Sequence, residues 1–281
     1  MTAILWALVS ALGYGVSDFV GGIASRRVAA LRVVLVSYPT ALIILTVLAF
    51  CAGGELSGSA MLWGSLSGIG SALGIWWFYA ALAAGPISIV SPLTAILVSG
   101  VPVIAGLALG DRPSALAVAG IGAALIAVVL VSRGVTDEDA NPHRFTAKVA
   151  WLTVGSGVAF GLSLVLIAPA PADSGLWPLV FVRLAATGLV VVAAAFSGDL
   201  GTPDRRTLQL ALLVGVLDVI ANIAMLAALR GAMLSLAGVL ISLYPAATVG
   251  LAIVVLKERV SRWQAVGMVL ALAAVAMIAL G

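Results

Sequence analysis

The sequence predicts an all-α membrane protein: ten transmembrane helices, arranged as two five-helix repeats of inverted topology. Three observations predict it. Apolar residues make up 63% of the 281 residues and charged residues only 9%, where soluble domains carry roughly 25% charged residues. The apolar residues fall into blocks near the ~20 residues that a helix needs to cross a bilayer core. The second half of the chain also repeats features of the first half in the same order.

Each span is an apolar run closed by helix-breaking or polar residues. Span one is Ala3 to Ile23 and span two Val33 to Ala52, which ends at Gly53-Gly54. Span three, Met61 to Leu82, ends at Gly85-Pro86, and span four is Ile87 to Leu109. Span five, Ala115 to Val131, follows Pro113. Residues 1–131 therefore form the first repeat. A polar stretch over 132–148 holds Arg133, Asp137, Glu138, Asp139, His143, Arg144 and Lys148. The second repeat, 149–281, opens with span six, Val149 to Ile167, followed by Pro169 and Pro171. Then come Pro178 to Phe196, Leu208 to Leu229, Met233 to Leu256 and Trp263 to Leu280. Glycine and proline punctuate such breaks because they do not propagate regular structure.

The repeat is visible in four echoes. Asp111-Arg112-Pro113-Ser114 after span four matches Glu258-Arg259-Val260-Ser261 after span nine. In both cases a glycine, Gly120 or Gly267, follows the acid at the same distance. Tyr14-Gly15-Val16-Ser17 matches Phe160-Gly161-Leu162-Ser163, and Arg32 matches Arg183. Five spans per half is an odd number, so the second half enters the membrane in the opposite sense. That is the inverted repeat recurrent in secondary transporters.

With ten spans both termini share one side. The loops opposite the termini hold eleven Lys and Arg residues, and the terminus side holds two, Arg112 and Arg230. Positive charge marks the cytoplasmic side, so the charge bias places both termini outside.

At this point the sequence resembles the drug/metabolite transporter superfamily, of the EamA-like ten-span type. The resemblance runs through Leu240-Ile241-Ser242-Leu243-Tyr244-Pro245, Leu256-Lys257-Glu258-Arg259-Val260-Ser261 and Trp263-Gln264-Ala265-Val266-Gly267. In the first half it runs through Ala81 to Pro86 and Leu109-Gly110-Asp111-Arg112. Arg32 and Arg183 stand where the family has an arginine at the start of its second and seventh spans. Asp111 departs from the family's glutamate, and the resemblance implies cytoplasmic termini, against the charge count.

Candidate site residues are the polar groups that an apolar span would otherwise exclude. Asp218 lies ten residues into span eight, where a carboxylate costs ~2.5–3.5 kcal/mol on insertion scales. Asn222 follows one turn later on the same face. Either they serve a proton or substrate site, or they hold helices together. Asp18 shares a polar face of span one with Tyr14 and Ser17; the plainer role is an interfacial acid paired with Arg26 or Arg27. Arg183 could grip an intramembrane carboxylate or a substrate anion, or reach toward the interface. Trp76, Trp77 and Tyr79 could line a cavity for a flat or cationic solute, or pack at the interface. Pro92, Pro102 and Pro245 interrupt spans four and nine. Cys51 reads as a small packed apolar residue.

The expected function is a secondary transporter of a small metabolite or drug-like solute in the cell membrane, working by alternating access and coupled to protons through Asp18 or Asp218. The alternative is a non-transporting scaffold or assembly factor. No catalytic residues, metal site or cofactor are expected: there is one cysteine and one histidine, and no phosphate loop or nucleophile elbow. Expected partners are a small-molecule substrate and membrane lipid. Nucleic acid is not expected, and small-residue pairs such as Gly64/Gly68 and Gly157/Gly161 leave a homodimer open.

Overall fold

Inside a bilayer a chain must pair its own N–H and C=O groups, and a helix does so within one segment. The computed structural model describes residues 2–25, 28–84, 87–132, 146–197, 201, 203–256 and 261–281. Among these the regular structure is helical throughout. The helices are α1 Thr2–Ser25, α2 Ala30–Ala52, α3 Gly58–Ala84, α4 Ile87–Ala108, α5 Ala115–Ser132, α6 Ala147–Ile167, α7 Trp177–Ser197, α8 Arg205–Gly231, α9 Leu234–Ile241, α10 Tyr244–Leu256 and α11 Arg262–Leu280. The Glu258 loop and most of the polar stretch between the repeats, with His143, lie outside the described residues.

Among the described residues, seven stretches are long and apolar enough to cross a membrane: α1, α2, α6, α7, α8, α9 with α10, and α11. α3, α4 and α5 are 27, 22 and 18 residues long.

The helix starts follow local chemistry. Asp204 caps α8, accepting from the N–H groups of Arg206 and Thr207 at 3.2 and 3.4 Å. Ser261 and Gln264 cap α11 reciprocally at 3.2 and 3.0 Å. Such caps satisfy N–H groups that have no partner in the first turn.

The span from Met233 to Leu256 is interrupted near Pro245, as the sequence predicts: α9 stops at Ile241 and α10 starts at Tyr244. Pro245 has no N–H to offer the preceding turn, so the chain restarts there, with tight bonds from Ser242 N–H to Gly238 and from Leu243 N–H to Leu240 at 3.0 and 3.2 Å. Cys51 is exposed, not packed; it sits in the last turn of α2, next to the outward-facing Phe50.

The two halves interleave. α1 packs on α8 as α3 packs on α6, and α2 packs on α8 as α3 packs on α7. α1 also packs on α9 and α10, as α4 packs on α6. The matches reach single residues. Gly15 lies against the Tyr244 carbonyl and Thr248, and Gly161 lies against the Leu97 carbonyl and Val101. On α5 and α11, Gly120 meets Ile278 and Gly267 meets Val131, so these two helices run antiparallel. A side chain at Gly68 or Gly215 would collide with the carbonyl of Val182 or Ser37; hydrogen alone lets these backbones approach. The outer surface is apolar, with Ile43, Phe50, Trp151, Val192 and Leu272 among its exposed side chains, as a lipid-facing surface requires.

Candidate functional site

The polar residues of the apolar helices gather where α1, α2, α3, α7, α8 and α10 meet. Arg183 of α7 and Asp218 of α8 form its centre. One guanidinium nitrogen, Nη2, sits 2.6 Å from Oδ1 and 2.5 Å from Oδ2 of Asp218. Their side chains are 5% and 14% exposed, so the pair is largely withdrawn from water. A buried ion pair holds only when both members stay matched. Among the described residues, the Arg183 Nε has no hydrogen-bond partner, and neither does the buried hydroxyl of Thr187 one turn along α7.

Other groups surround the pair. The ring of Tyr38 on α2 lies under the guanidinium, 4.6 Å from its carbon to the ring centre, a stacking that favours a cation. The Tyr38 hydroxyl is within hydrogen-bonding reach of Ser71 on α3. Asn222 donates its amide to the Asp218 carbonyl at 2.7 Å, which fixes the turn that carries the carboxylate. Tyr14 on α1 donates to the Met225 sulfur at 3.4 Å and meets Tyr244 of α10 edge to face, with ring centres 6.4 Å apart. Asp18 lies one turn beyond Tyr14, close enough to interact electrostatically with Asp218 and Tyr244.

Asp18, Asp218, Asn222, Arg183 and Tyr14, five of the residues singled out in the sequence, are therefore brought together. Two are not. Trp76 is 55% exposed and lines an apolar groove of about 280 Å³ between α2, α3 and α7, with Leu31, Ile75 and Leu189. The Tyr79 side chain lies outside the described residues, as do Arg26 and Arg27, the partners considered for Asp18. Trp77 packs against Gly155 of α6, beside a second apolar groove. The first groove shares Val34, Ala72 and Val190 with the cluster that packs around Tyr38. Pro102 packs on Gly238 of α9, and the side chain of Pro92 is outside the described residues.

Sequence reasoning missed Tyr38, Ser71 and Tyr244. Their signal was weak but real: a tyrosine hydroxyl within an apolar span needs a polar neighbour.

Polar contacts gather at one end of the bundle, from Asp111 and Glu55 across the halves and from Arg230 within the second half. Asp111, after α4, accepts hydrogen bonds from Ser235 of α9. Arg230 donates to the carbonyls of Pro171 and Gly175, both at 3.0 Å. Glu55 N–H donates to the Asp173 carbonyl at 2.9 Å.

Comparison with known proteins places this architecture. A solved structure described only as "Crystal structure of protein" superposes with a TM-score of 0.76, covering 99% of this chain and 96% of that one at 16% identity. At that identity the likeness establishes the fold alone. A search of curated proteins gives no match. The profile of the EamA-like transporter family matches twice, over residues 1–133 and again over 147–280. With nearly its whole length accounted for by two copies of that unit, this chain is a multi-pass membrane protein that belongs to the EamA-like transporter family.

Proposed function

We propose that this chain is a secondary transporter of the cell membrane, moving a small metabolite or drug-like solute by alternating access between two inverted five-helix halves. Ten spans are the sum of the seven long apolar helices and α3, α4 and α5. The antiparallel packing of α5 on α11 supports the inverted relation. The observation that carries the reading is the polar cluster itself. Its carboxylates and guanidinium lie within apolar spans, and its members come from both halves: Tyr14, Asp18 and Tyr38 from one, Arg183, Asp218 and Tyr244 from the other. Ionisable groups at such depth are costly and mark transport pathways, and a site at the seam of two repeats changes shape when one moves against the other.

In this reading Asp218 or Asp18 carries the coupling proton. When the halves shift, the contact between Arg183 and Asp218 loosens, and the carboxylate can bind a proton from one side and release it to the other. The test is uptake into proteoliposomes with and without a proton gradient. Asp218→Asn keeps the side-chain shape but cannot release a proton, so it should fold, reach the membrane and lose gradient-driven accumulation. If Asp18 is the coupling group, Asp18→Asn shows that phenotype instead. Wild-type accumulation in both single variants and the double variant would refute proton coupling through these acids, and a scaffold would tolerate all three.

A further inference from the structure

We infer that the apolar groove between α2, α3 and α7 seats the flat apolar body of an uncharged solute, whose carbonyl oxygen is held at the inner end of the groove by Arg183 and Thr187. This rests on the transporter reading for its purpose and names the class of solute. Stripes from three helices build the groove, which has a volume of about 280 Å³. Leu31 and Val34 lead along α2 to Tyr38, and Val190 and Ala193 lead along α7 from Arg183 and Thr187, each at helical spacing. Ala72, Trp76 and Ala80 form the wall on α3. Val34, Ala72 and Val190 pack with Tyr38 in one cluster, and the Tyr38 ring lies under the Arg183 guanidinium at 4.6 Å. The groove therefore runs from the ion pair toward the end of the bundle where α2 begins and α3 and α7 finish.

At the inner end, donors outnumber acceptors. Arg183 is buried, and its Nη2 serves both oxygens of Asp218. Among the described residues its Nε–H has no acceptor, and neither does the buried Thr187 hydroxyl. Arg183, Thr187 and Val190 are spaced four and three residues apart, so they stand on one face of α7. A buried donor without an acceptor is costly, and an oxygen arriving along the groove supplies one. Charge balance makes the solute uncharged. Asp218 already neutralises Arg183, so a carboxylate added here would set two negative charges against one positive in poorly hydrated surroundings. An ammonium group would face the guanidinium. The walls suit the rest of the solute, since Leu31, Val34, Leu189 and Val190 carry no charge and Trp76 adds an aromatic side. An apolar cavity of about 150 Å³ takes a benzene ring, so this groove has room for a fused two-ring body.

The experiment uses the full-length chain purified in detergent, with protein-free micelles as the blank for partitioning. The probes are 2-acetylnaphthalene, which has a carbonyl, 2-ethylnaphthalene, which has its shape without an acceptor, and the anion 2-naphthoate. Saturable binding of 2-acetylnaphthalene is expected, about tenfold tighter than either of the others. Thr187→Val keeps the shape and removes the hydroxyl. It should weaken 2-acetylnaphthalene several-fold, leave 2-ethylnaphthalene unchanged and melt no lower than wild type, because an unmatched buried hydroxyl is gone. Ala193→Phe fills the groove and should abolish binding of both. If Thr187→Val fails to fold, Ala193→Phe and the probe series decide. Equal affinity for the acetyl and ethyl probes would overturn the proposal, since a groove that takes any hydrocarbon, a lipid chain included, gives that result. So would tightest binding of the anion, binding untouched in both variants, or no saturable binding. Proteoliposomes separate this from the transporter reading. Gradient-driven uptake of other solutes by a chain that binds none of the probes removes only the groove assignment. The expected binding by a chain that moves no solute removes only transport.

Discussion

Asp111 and Ser235 join the two repeats through a helix cap. Asp111 follows α4 in the first half, and Ser235 stands in the first turn of α9 in the second. One carboxylate oxygen accepts from the Ser235 backbone N–H at 2.8 Å and from its hydroxyl at 2.7 Å. The negative charge also faces the positive end of the α9 dipole. Asp111 is one of the acids that reveal the repeat in the sequence; its echo, Glu258, lies outside the described residues.

Losing that cap should be measurable. Asp111→Ala is expected to destabilise the protein by about 1 kcal/mol, and Asp111→Asn, which keeps an acceptor but not the charge, by less. Thermal unfolding in detergent reads both. Melting curves identical to wild type for the two variants would mean that the cap contributes nothing to stability.

The ion pair makes a sharper prediction. Arg183→Gln strands Asp218 in a poorly hydrated site, and Asp218→Asn strands Arg183. Each should cost about 3–5 kcal/mol if the partner stays charged. The double variant leaves no stranded charge and should be less destabilised than the sum of the two. A double-mutant cycle measures this directly; simple additivity would show that the two residues do not depend on one another.

The glycine contacts predict a pattern across positions. Gly68→Leu and Gly215→Leu push a side chain into the backbone of α7 and α2, and each should cost about 1–3 kcal/mol or prevent assembly. Gly122 and Gly188 have nothing within 4 Å of where a Cβ would stand, so leucine there should leave yield and melting temperature near wild type. Fluorescence-detected size exclusion of the four variants makes the comparison.

The charge bias predicts orientation. With eleven basic residues on the loop side opposite the termini and two on the terminus side, a fluorescent protein fused after Gly281 should stay dark and a phosphatase fused there should be active. Bright cytoplasmic fluorescence would reverse the assignment and restore the orientation that the family resemblance implies.

Much of this architecture was legible because lipid imposes a simple rule: apolar runs become helices, and charged residues within them need partners. Arg183 and Asp218 stand out in the sequence for that reason, although nothing there says that residues 35 positions apart will meet. Which face of each helix looks inward was far less legible. In water the polar side of a helix marks the surface, but here both sides are apolar and helix periodicity carries little information. Trp76 illustrates the loss, since its neighbours in α3 do not distinguish a lipid-facing side from a groove. Tyr244 was hidden for another reason. It opens α10, and its place beside Asp18 depends on the break before Pro245, which the hydropathy of that stretch does not disclose.

The interleaving of the repeats also governs how the protein can be made. α1 leaves the ribosome before its main partner, α8, which belongs to the other half, so α1 must wait in the bilayer with Gly13 and Gly15 uncovered until Ala221 and Ala247 arrive. Insertion and assembly are thus separate stages, and order of synthesis is not order of assembly. A nascent chain stopped after α5 presents unmatched small-residue seams to quality control, whereas the same two halves made as separate polypeptides in one membrane hold every contact they need to find each other.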